Sequence, residues 1–197
     1  MAARLVGQFV GAAHGSHVYR KRSFLADKLG QQVASPLVTI VDDPLIPGGL
    51  GSRPFDSEGL VSARREIVAA GKLACYLINV YGGRMLKTAP NGGSTSNLYL
   101  KAGTLSPEEI IASIPNGLYL TSVSGPGFNA TTGDYSVGAS GMWIENGKLA
   151  FPVDNITIAS NVADMFGGIV AVGNDLVFRG GTNSPTIMIK SMTVAGE

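Results

Sequence analysis

Glycine is the residue that most restricts the folds open to this chain, at 27 of 197 positions. That share is about twice the usual value of roughly 7%, and it lacks the three-residue period of collagen. Because glycine favours tight turns and weakens helices, its abundance indicates a β-rich chain with many turns. A helical bundle is not expected.

Short strands with short links dominate the predicted elements. Runs rich in β-branched and aromatic residues predict strands over 37–41, 64–68, 73–80, 97–101, 118–124, 141–145, 148–153, 155–159, 169–172 and 186–194. The pair Asn146-Gly147 between two of these runs predicts a type I′ hairpin turn. This order favours an α+β or barrel-like fold with mainly antiparallel strands over a doubly wound parallel sheet.

Helices are predicted at only a few places. Leu5, Val6, Phe9 and Val10 share one helical face, so the first dozen residues predict a short amphipathic helix that needs packing partners. Ser106-Pro107-Glu108-Glu109 combines an N-cap, a proline at the first helical position and a capping box. Shorter helical turns are predicted over 82–87 and 162–166.

Charge is balanced overall but uneven along the chain. The formal net charge is +1, which argues against a nucleic-acid binder that neutralises phosphates. Residues 1–101 nevertheless carry a net +6 and residues 102–197 a net −5, with a basic cluster at Arg20, Lys21 and Arg22. This cluster is either a solvated face or a surface that meets an acidic partner. No secretion or membrane signal is evident, so we expect a cytoplasmic protein with no membrane partner.

The residues that could perform chemistry are few. The single Cys75 excludes an internal disulfide and a cysteine-built zinc cluster, and its apolar context predicts a buried thiol. His14 and His17 have a workable metal spacing, but no Asp or Glu lies within nine residues of either. The residues alone therefore reveal no self-sufficient active site. An independent hydrolase that uses His14 or His17 stays open as an alternative.

A long loop over residues 42–59 contains three prolines and four glycines. Loops of this length in compact domains are usually functional or disordered. Apolar residues at Leu45, Ile46, Leu50 and Phe55 lead us to expect an ordered loop that is anchored by these side chains.

Several segments in a fixed order carry a family resemblance. They are Tyr19-Arg-Lys-Arg-Ser-Phe-Leu25, Asp42-Asp-Pro44, Pro47-Gly-Gly-Leu-Gly-Ser52, Phe55-Asp-Ser-Glu-Gly59, Gly133-Asp-Tyr-Ser136, Glu145-Asn-Gly147, Asn155-Ile-Thr-Ile-Ala159, Ile169-Val-Ala-Val-Gly173 and Met192-Thr-Val-Ala-Gly196. Together they resemble the C-terminal half of the TldD/PmbA proteins, the modulators of DNA gyrase. The resemblance implies one pseudo-β-barrel-like, mainly antiparallel α+β domain over residues 1–197.

The resemblance also implies a subunit type. TldD-type subunits carry H-E-x-x-x-H and a downstream cysteine that hold the zinc of a peptidase, whereas PmbA (TldE) subunits lack these ligands and pair with them in a heterodimer. Anchored on Arg20-Lys21, the zinc helix would fall on residues 7–12, where Gly7 and Ala12 replace the histidines and Gln8 the glutamate. The downstream cysteine is replaced by the run Phe178 to Asn183. The chain therefore resembles the PmbA/TldE type.

This resemblance implies no catalytic residue, no metal and no cofactor in the chain itself. It implies a partnership with a TldD-type zinc-bearing subunit and a shared peptide substrate. We expect the loop 48–58 to be a contact surface, with Arg53, Asp56 and Glu58 as its charged groups. A homo-oligomeric scaffold without a peptidase role is the structural alternative. The N-terminal domain usual in the family is absent from this sequence, so both a fragment and a natural short form are open.

Overall fold

A computed structural model describes residues 1–196, which form five short helices and eleven strands in an α+β arrangement. The helices are α1 (Ala2–Ala12), α2 (Gly15–Val18), α3 (Val80–Leu86), α4 (Pro107–Ala112) and α5 (Val162–Gly167). The strands are β1 (Ile40–Asp42), β2 (Arg65–Ala69), β3 (Lys72–Leu73), β4 (Leu98–Leu100), β5 (Asn116–Ser124), β6 (Asp134–Glu145), β7 (Lys148–Asn161), β8 (Ile169–Val172), β9 (Thr182–Asn183), β10 (Ile187–Ile189) and β11 (Thr193–Ala195).

The strands form three open sheets, with the orders β3-β2-β1-β4-β9, β11-β7-β6-β5 and β10-β8. Every pair of neighbouring strands is antiparallel except β4 and β9. The mainly antiparallel α+β fold expected from the sequence is therefore confirmed. In the described part of the chain these sheets do not close into a barrel.

The second sheet is built from strands longer than the sequence predicts. β6 begins at Asp134 rather than at residue 141, and β7 is a single strand where two were predicted. Its register with β6 shifts between Ala139 and Gly141, and Asn155 adopts a positive φ of 53°. Serine and glycine in β6 have low strand propensity, so pairing with β7 rather than local preference makes this segment a strand.

Several strands of the other two sheets are shorter than predicted. In the segment 37–41 only residues 40 and 41 are strand, as part of β1, and in the segment 73–80 only Leu73 is, as the end of β3, before α3 begins at Val80. The segment 186–194 divides into β10 and β11, which belong to different sheets. Local residue preference could not show this division, because it depends on which neighbour each strand meets.

Local signals for turns and helix ends are confirmed. Ser106 Oγ accepts a hydrogen bond from the Glu109 amide at 3.2 Å, and Glu109 Oε2 accepts one from the Ser106 amide at 2.7 Å. At the β6–β7 turn, Asn146 and Gly147 both have positive φ, at 50° and 75°, as a type I′ turn requires.

One continuous hydrophobic core joins α1 to the two larger sheets. Phe9 of α1 is fully buried, with its ring centroid 4.1 Å from that of Phe166 in α5 and 5.7 Å from that of Phe24. Leu5, Val6 and Val10 are also buried, which confirms the predicted amphipathic helix. Among residues 1–196, no helix has both the length and the apolar character needed to cross a bilayer.

Candidate functional site

Helix α1 is held firmly at the centre of the molecule. Its apolar side chains fix its rotation, so the positions of Gly7, Gln8 and Ala12 are set by the packing described above. Gly7 faces β9, since a β-carbon there would lie 3.8 Å from Thr182 Cγ2, an ordinary van der Waals contact. Packing therefore leaves room for a side chain to begin at position 7.

The C-terminal end of the helix, at Ala12, has no room for a larger side chain. Ala12 is completely buried, and its carbonyl accepts a hydrogen bond from Ser23 Oγ at 2.6 Å. A histidine at this position would have to displace core residues. Neither glycine nor alanine has a lone pair on its side chain, so positions 7 and 12 cannot bind zinc.

Gln8 lies between these positions on the same helix. Its Oε1 is buried and has no hydrogen-bond partner in the described residues. A neutral amide cannot take a proton from a metal-bound water, so Gln8 cannot serve as the general base of a zinc peptidase. The residues of α1 therefore do not fit a catalytic zinc ion.

His14 and His17 flank the start of α2. His14 forms a parallel β-bridge with Leu77, whereas His17 is exposed. Burial lowers the pKa of His14, and the positive charges of His17 and Arg65 lower it further. Within residues 1–196, no three His, Cys, Asp or Glu side chains gather closely enough to hold a metal ion. The geometry therefore offers no support for a metal-dependent hydrolase at this pair.

Cys75 is half-buried, with its Sγ 3.5 Å from the Glu66 carbonyl oxygen. Burial raises the pKa of its thiol, so at neutral pH it stays protonated and unreactive. The sequence predicted a buried thiol in a strand, whereas the structure has a half-buried one in the segment between β3 and α3.

The three charged residues expected at the contact loop bind within the molecule. Arg53 Nη2 donates to Ser94 Oγ at 2.8 Å and to the Thr95 carbonyl at 3.2 Å. Asp56 is buried, and Glu58 Oε2 accepts from the Val80 amide at 2.8 Å. These contacts help to hold the loop 44–62 in place, and a role of the three residues in partner contact stays a prediction.

Three of the four apolar side chains expected to anchor this loop are exposed to solvent. Leu45, Leu50 and Phe55 are 59%, 81% and 61% exposed, so they do not anchor the loop in the core. Polar residues anchor it instead: buried Asn97 accepts from the Gly51 amide at 2.8 Å and donates to the Asp43 carbonyl at 2.8 Å. Ile46 is half-buried, so the expectation of apolar anchors is wrong for Leu45, Leu50 and Phe55, while the loop does adopt a defined structure.

Residues 54–62 of this loop form a small hairpin. The Asp56 amide donates to the Leu60 carbonyl at 2.9 Å, and the Ser62 amide donates to the Pro54 carbonyl at 2.9 Å. Phe55 and Val61 are paired across it, and both point into solvent. Sequence reasoning missed this pair, although two large apolar residues inside a Pro- and Gly-rich loop were a visible signal.

A buried ion pair between Asp42 and Arg65 holds the segment that contacts the loop. Asp42 Oδ2 accepts from Arg65 Nη2 at 3.1 Å, and Asp42 Oδ1 accepts from the Ser96 amide and hydroxyl at 2.6 and 2.7 Å. Arg65 also donates to the carbonyls of Gly92 and Ser94, at 2.9 and 2.8 Å. Since Arg53 binds the same segment, residues 91–97 are a common support for β1, β2 and the loop.

Known proteins are similar to this chain along all of its described residues. The family model described as the PmbA/TldA metallopeptidase C-terminal domain matches residues 1–196. Metalloprotease PmbA of Escherichia coli O157:H7 is 41% identical over 199 aligned residues, which cover 100% of this chain and 44% of the relative. The Metalloprotease TldD homolog of Haemophilus influenzae is 32% identical over 168 residues, which cover 78% of this chain and 35% of the relative.

A solved structure shows the same fold. The crystal structure from Bacteroides thetaiotaomicron assigned as a modulator of DNA gyrase superimposes with a TM-score of 0.94 and 32% identity. The match covers 98% of this chain and 44% of that one. This chain thus spans less than half the length of the relatives it matches. The chain belongs to the PmbA/TldD metallopeptidase family, of which it represents the C-terminal domain.

Proposed function

We propose that this chain is the non-catalytic, metal-free subunit of a TldD/TldE-type zinc metallopeptidase complex that cleaves unfolded peptides. The observation that carries the proposal is the composition of α1. Where the resemblance expects two zinc-binding histidines and a glutamate, the helix has Gly7, Ala12 and Gln8.

The packing around α1 supports this proposal. Ala12 lies in the hydrophobic core, so the position where the resemblance expects a zinc-binding histidine serves core packing instead. The higher identity to the PmbA relative than to the TldD homolog, 41% against 32%, is in line with this subunit type.

The chain would then serve the complex as a wall of the peptide channel and as a docking partner for the zinc-bearing subunit. Extended peptides bind well at exposed strand edges, where backbone hydrogen bonds recognise any sequence. On this proposal the nine-residue strand β5, at one edge of the second sheet, is such an edge. On this proposal the partners are the TldD-type subunit and peptides, in the cytoplasm, without nucleic acid or membrane.

Purification of the chain alone and with its TldD-type subunit tests the proposal. Both samples would be assayed for cleavage of an unfolded peptide with added zinc, and with a chelator as the control. We expect cleavage only when the TldD-type subunit is present. Robust, chelator-sensitive cleavage by the chain alone would overturn the proposal.

A homo-oligomeric scaffold is the second candidate, favoured by the opposite net charges of the two halves of the chain. Size-exclusion chromatography at low and high salt separates the two candidates. A stable homodimer that ignores the TldD-type subunit would favour the scaffold.

A further inference from the structure

We infer that the hairpin 54–62 and the exposed side of α3 form the surface on which the zinc-bearing subunit docks, and that the opposing surface is acidic around an apolar recess. This inference rests on the proposed function, since it names the site of that partnership. The docking surface consists of four exposed apolar residues and the basic side chains around them. The four are Phe55, Val61, Tyr81 and Met85.

The hairpin has inverted polarity, with apolar side chains outside and a carboxylate inside. Phe55 and Val61 are 61% and 86% exposed and face each other across the strands, whereas Asp56 between them is buried. Single exposed apolar residues are common on soluble proteins, but a paired aromatic and β-branched residue at a loop tip forms a patch. The carboxylate of Asp56 faces inward while the phenyl ring of Phe55 faces solvent, and this arrangement favours contact through the ring.

Hydrogen bonds hold the hairpin in shape before any partner binds. Asp56 Oδ1 accepts from the amides of Glu58 and Leu60 at 2.9 and 3.0 Å, which closes the turn. Arg53 ties the base of the hairpin to residues 94 and 95. A surface that is already ordered loses little conformational entropy on association, so more of its contact energy appears as affinity.

The hairpin lies against the start of α3. Glu58 at the hairpin turn accepts from the Val80 amide, which places the tip beside the first residue of the helix. Tyr81 and Met85 are four residues apart and share one helical side, and they are 55% and 50% exposed. Aromatic residues, Met and Arg are the types enriched in protein interfaces.

Basic side chains lie near Tyr81. The Tyr81 ring lies edge-on to Tyr19, at 5.9 Å between centroids, and Arg20 lies over the Tyr19 ring at 5.2 Å. Arg20, Arg22, Arg84 and Lys87 are exposed and form no ion pair with any residue in 1–196. Glu58 at the hairpin turn is an exposed acidic group on the same surface, but the four basic side chains outnumber it. Such a basic border steers association towards an acidic surface and excludes basic ones.

Binding measurements with the TldD-type subunit test the inference. We expect the double variant Phe55→Ser/Val61→Ser to bind that subunit at least tenfold more weakly than the parent chain does. The matched control is Leu29→Ser/Leu37→Ser, which removes two residues of similar exposure (54% and 53%) between α2 and β1 and should bind normally. A second variant on the helix, Tyr81→Ser/Met85→Ser, should also bind at least tenfold more weakly, and it leaves the hairpin intact.

The binding results separate failure of the proposed function from failure of this inference. Failure of the parent chain to bind the TldD-type subunit would refute the proposed function itself. Normal binding of the parent and of both apolar variants would refute only this inference. If the parent instead forms a homodimer that the Phe55 and Val61 changes dissociate, the occupant is a second copy and the inference is also wrong. Binding should weaken with added salt, and less steeply in Arg20→Gln/Arg84→Gln.

Discussion

The Arg65 guanidinium donates to the Asp42 carboxylate at 3.1 Å, and this pair is only 15% and 3% exposed in its two side chains. It joins the neighbouring strands β1 and β2. Both side chains also bind the segment 91–97, which in turn holds the loop 44–62. The apolar tip of that loop therefore depends on a buried polar centre.

Loss of one member of this pair should destabilise the fold strongly. Arg65→Ala leaves the Asp42 carboxylate buried without its cation, which typically costs about 3–5 kcal/mol of unfolding free energy. Urea titration measures this loss. Lys101→Ala is the control, because it breaks a pair whose lysine is 51% exposed, and such pairs contribute only about 0–1 kcal/mol. A loss of less than 1 kcal/mol for Arg65→Ala would contradict the role assigned to the pair.

Gly51 allows the loop to lie against residues 96–97. A β-carbon at this position would lie 2.4 Å from the Ser96 carbonyl oxygen, so Gly51→Ala has to displace backbone. We expect a loss of roughly 1–3 kcal/mol, together with faster amide exchange of the Gly51 region measured by mass spectrometry. Gly180→Ala is the matched control, because a β-carbon there has no atom within 4 Å. Equal exchange in both variants would show that the close approach is unimportant.

Gln8 gives a direct test of the α1 environment. Its Oε1 has no partner within residues 1–196, so Gln8→Met should be neutral or stabilising. Gln8→Glu should instead lose roughly 1–3 kcal/mol near pH 7, because a charged carboxylate replaces an already unpaired oxygen. Thermal unfolding of the two variants measures the difference. Equal stability of the two at pH 7 would mean that position 8 is hydrated.

His14 should make stability fall as the pH falls. Its folded-state pKa lies below the ordinary histidine value of 6.5, so below that pH the unfolded chain takes up a proton that the folded chain does not. The loss begins near pH 6.5 and continues down to the folded pKa, at up to about 1.4 kcal/mol per pH unit. Urea unfolding between pH 5 and 8 measures it. His14→Gln should flatten this dependence, whereas His17→Gln should leave most of it; an unchanged slope in His14→Gln would contradict the assignment.

Short-range signals in the sequence identified much of the fold. The capping box at Ser106 and the turn at Asn146-Gly147 depend on residues within three positions of each other, so their structures could be predicted directly. The burial of α1 followed from the spacing of its apolar residues. The absence of metal ligands at positions 7 and 12 could also be read from the sequence, once the family resemblance fixed the alignment.

Long-range relationships were not visible in the same way. Asp42 and Arg65 are 23 positions apart, and no local pattern shows that they meet in a buried pair. The loop was expected to bury Leu50 and Phe55, but Asn97 and Arg53 hold it instead, and no local pattern in the loop shows that these distant polar contacts form. The strand β6 was underestimated because its serines and glycines depend on β7 for their structure.

Zinc content is the measurement that tests the central claim most directly. Elemental analysis of the purified chain, alone and with its TldD-type subunit, should find no stoichiometric zinc in the chain alone. It should find one zinc per complex, with peptide cleavage confined to the complex. One tightly held zinc per isolated chain, together with chelator-sensitive cleavage, would contradict the account.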